Sequence, residues 1–319
     1  MAALWPEALV QSRHKKMKEV SAYMEMARPI NLVPSFLLVF LGAWAGTGRT
    51  MTALRFGSVW LMSLLSSGVA VASVVVNDYF DFASGVDGVN SPDKPLPSGT
   101  IRPDGALLFA SVIYIGVLMA ACLMEPPLLR LIVAMSAGAT LLYTPLLKRL
   151  TCVKNATVAA IIAASPIAGA LAAGASSLGV RAVIAPCAFV FLAIMYREIL
   201  MDIQDVEGDR AARVWTLPVM LGRKRALGVA VGLFATASVL GLAVAAFGSG
   251  LSWAWTMYSV SETVVRSLSA LAVLYVVRPV LANAWAIWRN EFNRDLVRSA
   301  IDETLKPIGL GMLLLAAMA

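Results

Sequence analysis

The sequence predicts an all-α, polytopic membrane bundle, and three observations carry that prediction. Of 319 residues, 59% are hydrophobic and only 14% are charged, where a soluble domain is nearer a quarter charged. The mean hydropathy is +0.78. Apolar runs of about 20 residues recur along the chain, each long enough to cross a bilayer as a helix. The alternating segments of about ten residues that a β-barrel needs do not occur.

Nine spans are expected, near residues 29–48, 57–80, 104–124, 127–146, 155–174, 181–201, 226–248, 265–288 and 303–319. The last is the weakest, because Glu303 and Lys306 shorten its apolar part. Residues 29–319 read as one transmembrane domain. Residues 1–28 read as a basic, polar segment on the inner side (Arg13, His14, Lys15, Lys16, Lys18), without the apolar core of a cleavable signal peptide. With the N-terminus inside, 19 of the 26 Lys and Arg residues fall on inner segments, 5 on outer ones, and Arg197 and Arg278 lie within spans. That bias is what the positive-inside rule requires. It also accounts for most of the net charge of +7, which suits anionic headgroups. No nucleic acid is therefore expected as a partner, and nothing points to an obligate protein partner.

Cysteine and histidine mainly exclude. Cys122, Cys152 and Cys187 have no metal or redox spacing and read as small buried residues. His14 is the single histidine, so a Ser-His pair or a His-ligated metal is not expected. No glycine-rich phosphate loop follows a strand.

Charge concentrates instead in two acidic clusters, one after the second span and one after the sixth. The first reads Asn77-Asp78-Tyr79-Phe80-Asp81, with Asp87 six residues on; the second reads Asp202-Ile203-Gln204-Asp205-Val206-Glu207-Gly208-Asp209. Asp78 and Asp81 are i, i+3 and share a helix face, with Asn77 beside them. Gly85 is expected to end that helix. Asp202, Asp205 and Asp209 are i, i+3, i+7, again one stripe, with Gly208 permitting a bend. Carboxylates crowded on one face repel unless cations hold them. All-oxygen ligands of this kind suit hard ions such as Mg²⁺, which bind phosphate oxygens as well. One such cluster beside a basic loop is ordinarily solvated charge. Two clusters, each a stripe at a helix end and both on the inner side, are poorly explained that way.

The adjoining segments supply cations. Lys94 lies in Ser91-Pro92-Asp93-Lys94-Pro95-Leu96-Pro97-Ser98-Gly99, a loop stiffened by three prolines. The connection between the fourth and fifth spans carries Tyr143, Lys148, Arg149, Lys154 and Asn155. Lys148 and Arg149 serve either membrane topology or an anionic ligand. Arg197 and Glu198, one turn before Asp202, read as an intrahelical pair inside the bundle. Arg278 beside Pro279 lines a polar cavity or pairs between helices.

These motifs resemble those of the UbiA superfamily of intramembrane prenyltransferases. That family carries Asn-Asp-x-x-Asp-x-x-x-Asp after its second helix and Asp-x-x-Asp-x-x-x-Asp after its sixth. Asp202, Asp205 and Asp209 match the second motif in spacing, and Asn77, Asp78 and Asp81 match the start of the first. Asp87 comes two residues later than the common pattern, a spacing similar to that of naphthoate prenyltransferases. Lys94 stands where many members have arginine, and Arg28-Pro29-x-Asn31 resembles the start of the family's first helix. The resemblance covers nearly the whole chain.

The resemblance implies two Mg²⁺ ions held by Asp78, Asp81 and Asp87 on one side and by Asp202, Asp205 and Asp209 on the other. The ions grip the diphosphate of a polyprenyl donor. Asp78, Asp81, Asp202 and Asp205 are then the expected catalytic acids. Asn77, Lys94, Tyr143, Lys148, Asn155 and Arg197 are the expected substrate-binding residues. The acceptor is lipophilic. Aromatic quinone precursors rank first, as the commoner choice in the superfamily and one toward which the first motif leans. A geranylgeranylglycerol phosphate, giving an ether lipid, is a close second: Arg197-Glu198-Ile199 before Asp205-Val206-Glu207-Gly208-Asp209-Arg210 is similar both to that group and to homogentisate prenyltransferases. The expected location is a bacterial or archaeal plasma membrane or an organelle inner membrane, with the acids facing the cytoplasmic, stromal or matrix side. An ion-coupled transporter is the alternative of another class. It would place its charges near mid-membrane at broken helices rather than at the boundary.

Overall fold

A computed structural model describes residues 7–29, 32–85, 87–88, 91–143, 146, 150–211, 213–247 and 261–318. All regular structure among them is helical: α1 (Glu7–Ala27), α2 (Leu32–Gly46), α3 (Gly57–Ala83), α4 (Pro103–Ala121), α5 (Pro127–Tyr143), α6 (Val153–Ala172), α7 (Ser177–Ala182), α8 (Ile184–Gln204), α9 (Val206–Ala211), α10 (Leu217–Leu221), α11 (Arg223–Phe247), α12 (Glu262–Arg289) and α13 (Arg294–Met318).

Six of these are long and apolar enough to cross a bilayer: α3, α4, α6, the joined α7–α8, α11 and α12. The last part of α1 and α2, bent by 47°, make a seventh if counted as one span. The remaining expected spans differ for local reasons. α5 has 17 residues, short of the roughly 20 that a straight crossing needs. α13 starts at Arg294 rather than at 303 because its first half is amphipathic. Val297, Ala300, Ile301, Thr304 and Ile308 are buried on one face, while Arg298, Asp302, Glu303 and Lys306 lie outside that buried set. An apolar-run reading misses such a helix, whereas its i, i+3, i+4, i+7 spacing reveals it.

Membrane-facing surfaces are apolar, as lipid requires. On α4 the exposed side chains Leu108, Val112, Ile115 and Met119 repeat at helical spacing, while Ala106, Ala110, Tyr114, Val117 and Ala121 point inward. Two large apolar cores result, beside a small third one of Ala45, Ala170, Val183, Cys187 and Ala316. One joins α3, α4 and α5 with Ala22 and Met26 of α1. The other joins α8, α11, α12 and α13 around Phe234 and Tyr196.

α2 and α6 tie the two cores together by direct backbone contact. A Cβ added at Gly169 would lie 1.9 Å from the Val39 carbonyl oxygen, and one added at Gly42 would lie 1.9 Å from that of Pro166. Small residues that let helix backbones touch are how membrane helices associate, since lipid gives apolar side chains no reason to leave it. The same crossing fixes the two acidic clusters relative to each other, because α6 begins at the second and α2 begins near the first. Of the cysteines, Cys187 is buried as expected, whereas Cys122 and Cys152 are exposed.

Candidate active site

The first acidic cluster occupies the last turns of α3. The helix ends at Ala83, and Gly85 follows with φ 80°, a left-handed value that glycine adopts without strain. Asp78 is 5% exposed and is held by two cations. Arg28 Nη2 donates to both of its carboxylate oxygens at 2.9 and 3.2 Å. Lys94 Nζ donates to Oδ1 at 3.1 Å. The same ammonium reaches both oxygens of the buried Asp87 at 2.9 Å. The stiff loop anticipated around Lys94 delivers this geometry. Its amides turn back on Asp87 and Ser91 (Ser91 N to Asp87 O 2.9 Å, Lys94 N to Ser91 O 3.2 Å), and Pro95 and Leu96 are buried beneath it. The late spacing of Asp87 therefore still brings its carboxylate next to Asp78. Asn77 Nδ2 donates to Asp81 Oδ2 at 2.9 Å, one turn apart. Burial by itself would lower the Lys94 ammonium, but its hydrogen bonds to Asp87 and Asp78 and their charges outweigh that, and it sits above its ordinary value.

The second cluster begins inside α8. Asp202 is buried, with Lys154 Nζ donating to Oδ1 and Asn155 Nδ2 donating to Oδ2 at 2.9 Å. Both partners come from the first turn of α6. The helix is interrupted at Asp205 rather than at Gly208, yet the Asp205 amide still bonds Met201 O at 3.0 Å and the Asp209 amide bonds Asp205 O at 2.9 Å. The stripe of Asp202, Asp205 and Asp209 thus survives a one-residue break. Burial pushes the Asp209 carboxyl above its usual range, against the pull of the Lys154 charge. The Thr216 side chain lies within hydrogen-bonding reach of this carboxyl, whereas Asn155 Oδ1 is buried with no hydrogen-bond partner.

The two clusters meet around the end of α5. Tyr143 lies within electrostatic reach of Asp81 from the first cluster and of Asp202 and Asp209 from the second, with Glu198 closer still in effect. Charges from both clusters therefore act on the side chain at the end of α5. Arg197 does not join either cluster among the described contacts: its Nη1 lies 3.2 Å from Met201 Sδ and 3.9 Å from Glu198, and its Nε is buried and unpartnered. Lys148, Arg149 and Asn31 lie outside the described residues. Three functional partners are not evident from the sequence. Arg28 stands out there for its motif and Lys154 for its loop, but neither as the counter-ion of a particular acid. Glu198, 9% exposed, reads as the partner of its neighbour instead of as part of the stripe that it extends.

The donor set fits a hard divalent ion, with one qualification in the geometry. The acids of both stripes offer only oxygen, and Asn155 Oδ1 is a buried oxygen with no hydrogen-bond partner. Among the described residues, however, no three acids converge tightly enough to make a metal centre by themselves. Arg28, Lys94 and Lys154 neutralise them instead. That pattern suits Mg²⁺, which takes one or two carboxylates and completes its shell from water and phosphate oxygens.

Comparison with known proteins decides the family. The profile of the UbiA prenyltransferase family matches residues 35–290. The chain belongs to the UbiA prenyltransferase family. It is an integral membrane prenyltransferase, and it has archaeal relatives. It is similar to the digeranylgeranylglyceryl phosphate synthase of Halobacterium salinarum, with 35% identity over 79% of this chain and 87% of that protein. It is also similar to that of Methanopyrus kandleri, with 34% identity over 79% and 89% respectively. Solved structures share the fold. One is a digeranylgeranylglyceryl phosphate synthase with TM-score 0.66 at 21% identity, covering 94% of this chain and 98% of that one. Another is a UbiA homologue from Archaeoglobus fulgidus bound to GPP and Mg²⁺, with TM-score 0.60 at 19% identity, covering 92% and 99%.

Proposed function

We propose that this UbiA-family chain transfers a geranylgeranyl group from geranylgeranyl diphosphate to the free hydroxyl of geranylgeranylglyceryl phosphate, giving an ether lipid. The observation that carries the reading is the set of curated relatives of that name, at 34–35% identity over as much as 79% of the chain. It reverses the order read from the sequence, which put aromatic quinone precursors ahead. That order rests on aromatic acceptors being the commoner choice in the superfamily and on the spacing of Asp87; Asp87 sits beside Asp78 through Lys94 and favours neither acceptor by its contacts.

The chain's own residues have divisible tasks. One or two carboxylates from Asp78, Asp81 and Asp87 on one side, and one or two from Asp202, Asp205 and Asp209 on the other, would each hold a Mg²⁺ whose shell water and phosphate oxygens complete, with Asn155 Oδ1 as a further oxygen. When bound, Mg²⁺ neutralises the diphosphate and stabilises it as a leaving group. Lys94, Arg28 and Lys154 hold the acids in register and offer charge-assisted hydrogen bonds to phosphate oxygens. Lys148 adds positive charge from the same connection. Beyond Asp202 the buried face of α8 carries Ile199, Leu200 and Tyr196, with Glu198 the one buried acid among them. Such walls keep water from the allylic cation. By the distribution of Lys and Arg, this polar region faces the cytoplasmic side, and the nine-span topology accommodates α2, α5 and α13 as further crossings.

Purified protein in nanodiscs, given geranylgeranyl diphosphate, Mg²⁺ and either geranylgeranylglyceryl phosphate or 1,4-dihydroxy-2-naphthoate, tests the reading. Prenylated product is expected with the glycerol phosphate alone. Prenylated naphthoate alone would restore the aromatic reading. A separate prediction concerns Lys94. Lys94→Ala should weaken equilibrium binding of the donor by roughly ten- to a hundredfold, the loss of one contact to a charged group at about 1.5–3 kcal/mol. Unchanged affinity would reduce Lys94 to a counter-ion of Asp78 and Asp87.

A further inference from the structure

Glu198 is a buried acid for which diphosphate binding has no use. It lies on α8 four residues before Asp202, so the two share a face. At 1.5 Å per residue it is about 6 Å further from the helix end, deeper in the bundle. Glu198, Asp202, Asp205 and Asp209 thus form one stripe (i, i+4, i+7, i+11), of which only the deepest member lies outside the family motif. Its nearest cation is Arg197 at 3.9 Å, an adjacent residue that helix geometry turns to another face. No hydrogen bond to its carboxylate is found among the described residues. Lys154 and Asp202 are its other charged neighbours. A structural ion pair would be closer and hydrogen-bonded. A 9% exposed carboxylate in a membrane-spanning helix, without such a pair, is costly and marks function.

Depth suggests which function. The donor's diphosphate belongs with the acids at the helix ends, and its prenyl chain runs inward, so its C1 lies one bond deeper than the bridging oxygen. Glu198, about 6 Å deeper than Asp202 along α8, lies on that inward side. Resting on the reading that the acceptor is an alcohol, we propose that Glu198 accepts the proton of the acceptor hydroxyl. The bond from C1 to the bridging oxygen breaks and its electron pair leaves with the diphosphate. The hydroxyl oxygen forms the new bond to C1, and its proton passes to a Glu198 carboxylate oxygen. Asp202, the member of the stripe nearest to it, is less suited, since Lys154 and Asn155 already hold both of its oxygens.

Glu198→Gln keeps the shape and removes the proton acceptor. Its kcat with geranylgeranylglyceryl phosphate should fall by roughly 10²–10⁴-fold, the usual share of a general base, with donor affinity and melting temperature unchanged. Added formate should restore part of the activity of Glu198→Ala, because a small carboxylate fits the space. Turnover of Glu198→Gln within about fivefold of wild type would overturn the role of Glu198 while leaving the acceptor reading intact. A fall in kcat that came with lost donor affinity and no formate rescue would make the residue structural and also overturn it. Wild-type protein inactive on the glycerol phosphate would overturn the acceptor reading, and this role with it.

Discussion

Asp202→Asn is expected to abolish prenyl transfer, by at least about a thousandfold, in a protein that still folds. The side chain keeps its shape and one carbonyl oxygen for Lys154, so the contact between α6 and α8 persists. What it loses is the charge that a divalent ion needs. Stabilisation of a leaving group by such an ion is worth several kcal/mol, and each 1.36 kcal/mol is about tenfold in rate. Asp78→Asn on α3 should do the same from the other side, because a diphosphate bridged between two stripes fails when either stripe fails. Alanine is the harsher choice: it would leave the Lys154 ammonium buried without its partner, at about 3–5 kcal/mol. Product formation followed by mass spectrometry, beside a thermal melt, separates the cases. Transfer retained by either asparagine variant would remove that residue from the site.

Gly169→Val is expected to be the most destabilising single change outside the acids. The Val39 carbonyl oxygen lies 1.9 Å from where the new Cβ would stand, and what must yield is backbone rather than a movable side chain. Overpacking a core costs about 1–3 kcal/mol; here α2 and α6 must separate along the crossing that joins the two cores, so about 3 kcal/mol or more is expected. Gly42→Val should behave alike, against the Pro166 carbonyl. The readout is a lower melting temperature and loss of a monodisperse peak. A variant as stable as the parent would mean that the helices do not touch there.

Helical membrane architecture is legible in the composition, because apolar runs of span length leave little else. The acidic stripes are legible in their spacing, which survives even the break at Asp205 because backbone hydrogen bonds continue across it. Gly85 ends its helix as its conformational freedom suggests. Counter-ions are less legible. Lys154 stands 48 residues from Asp202 and Arg28 stands 50 from Asp78, and no local pattern joins residues that only helix packing brings together. The start of α13 escapes a hydropathy reading because hydropathy averages over a helix whose first half is amphipathic. Acceptor preference is less legible still: the two-residue shift in Asp87 leans toward aromatic acceptors, whereas the relatives carry the name of the ether-lipid enzyme.

If the two acidic stripes form one metal-dependent diphosphate site, donor binding is the property that must fail when either stripe or the metal is removed. Equilibrium binding of radiolabelled geranylgeranyl diphosphate should be measured for wild type, Asp78→Asn and Asp202→Asn, with Mg²⁺ and with EDTA. Binding that requires Mg²⁺ and is lost in both variants is the predicted result. Binding that survives EDTA, or that survives in either variant, would contradict a shared metal-dependent site.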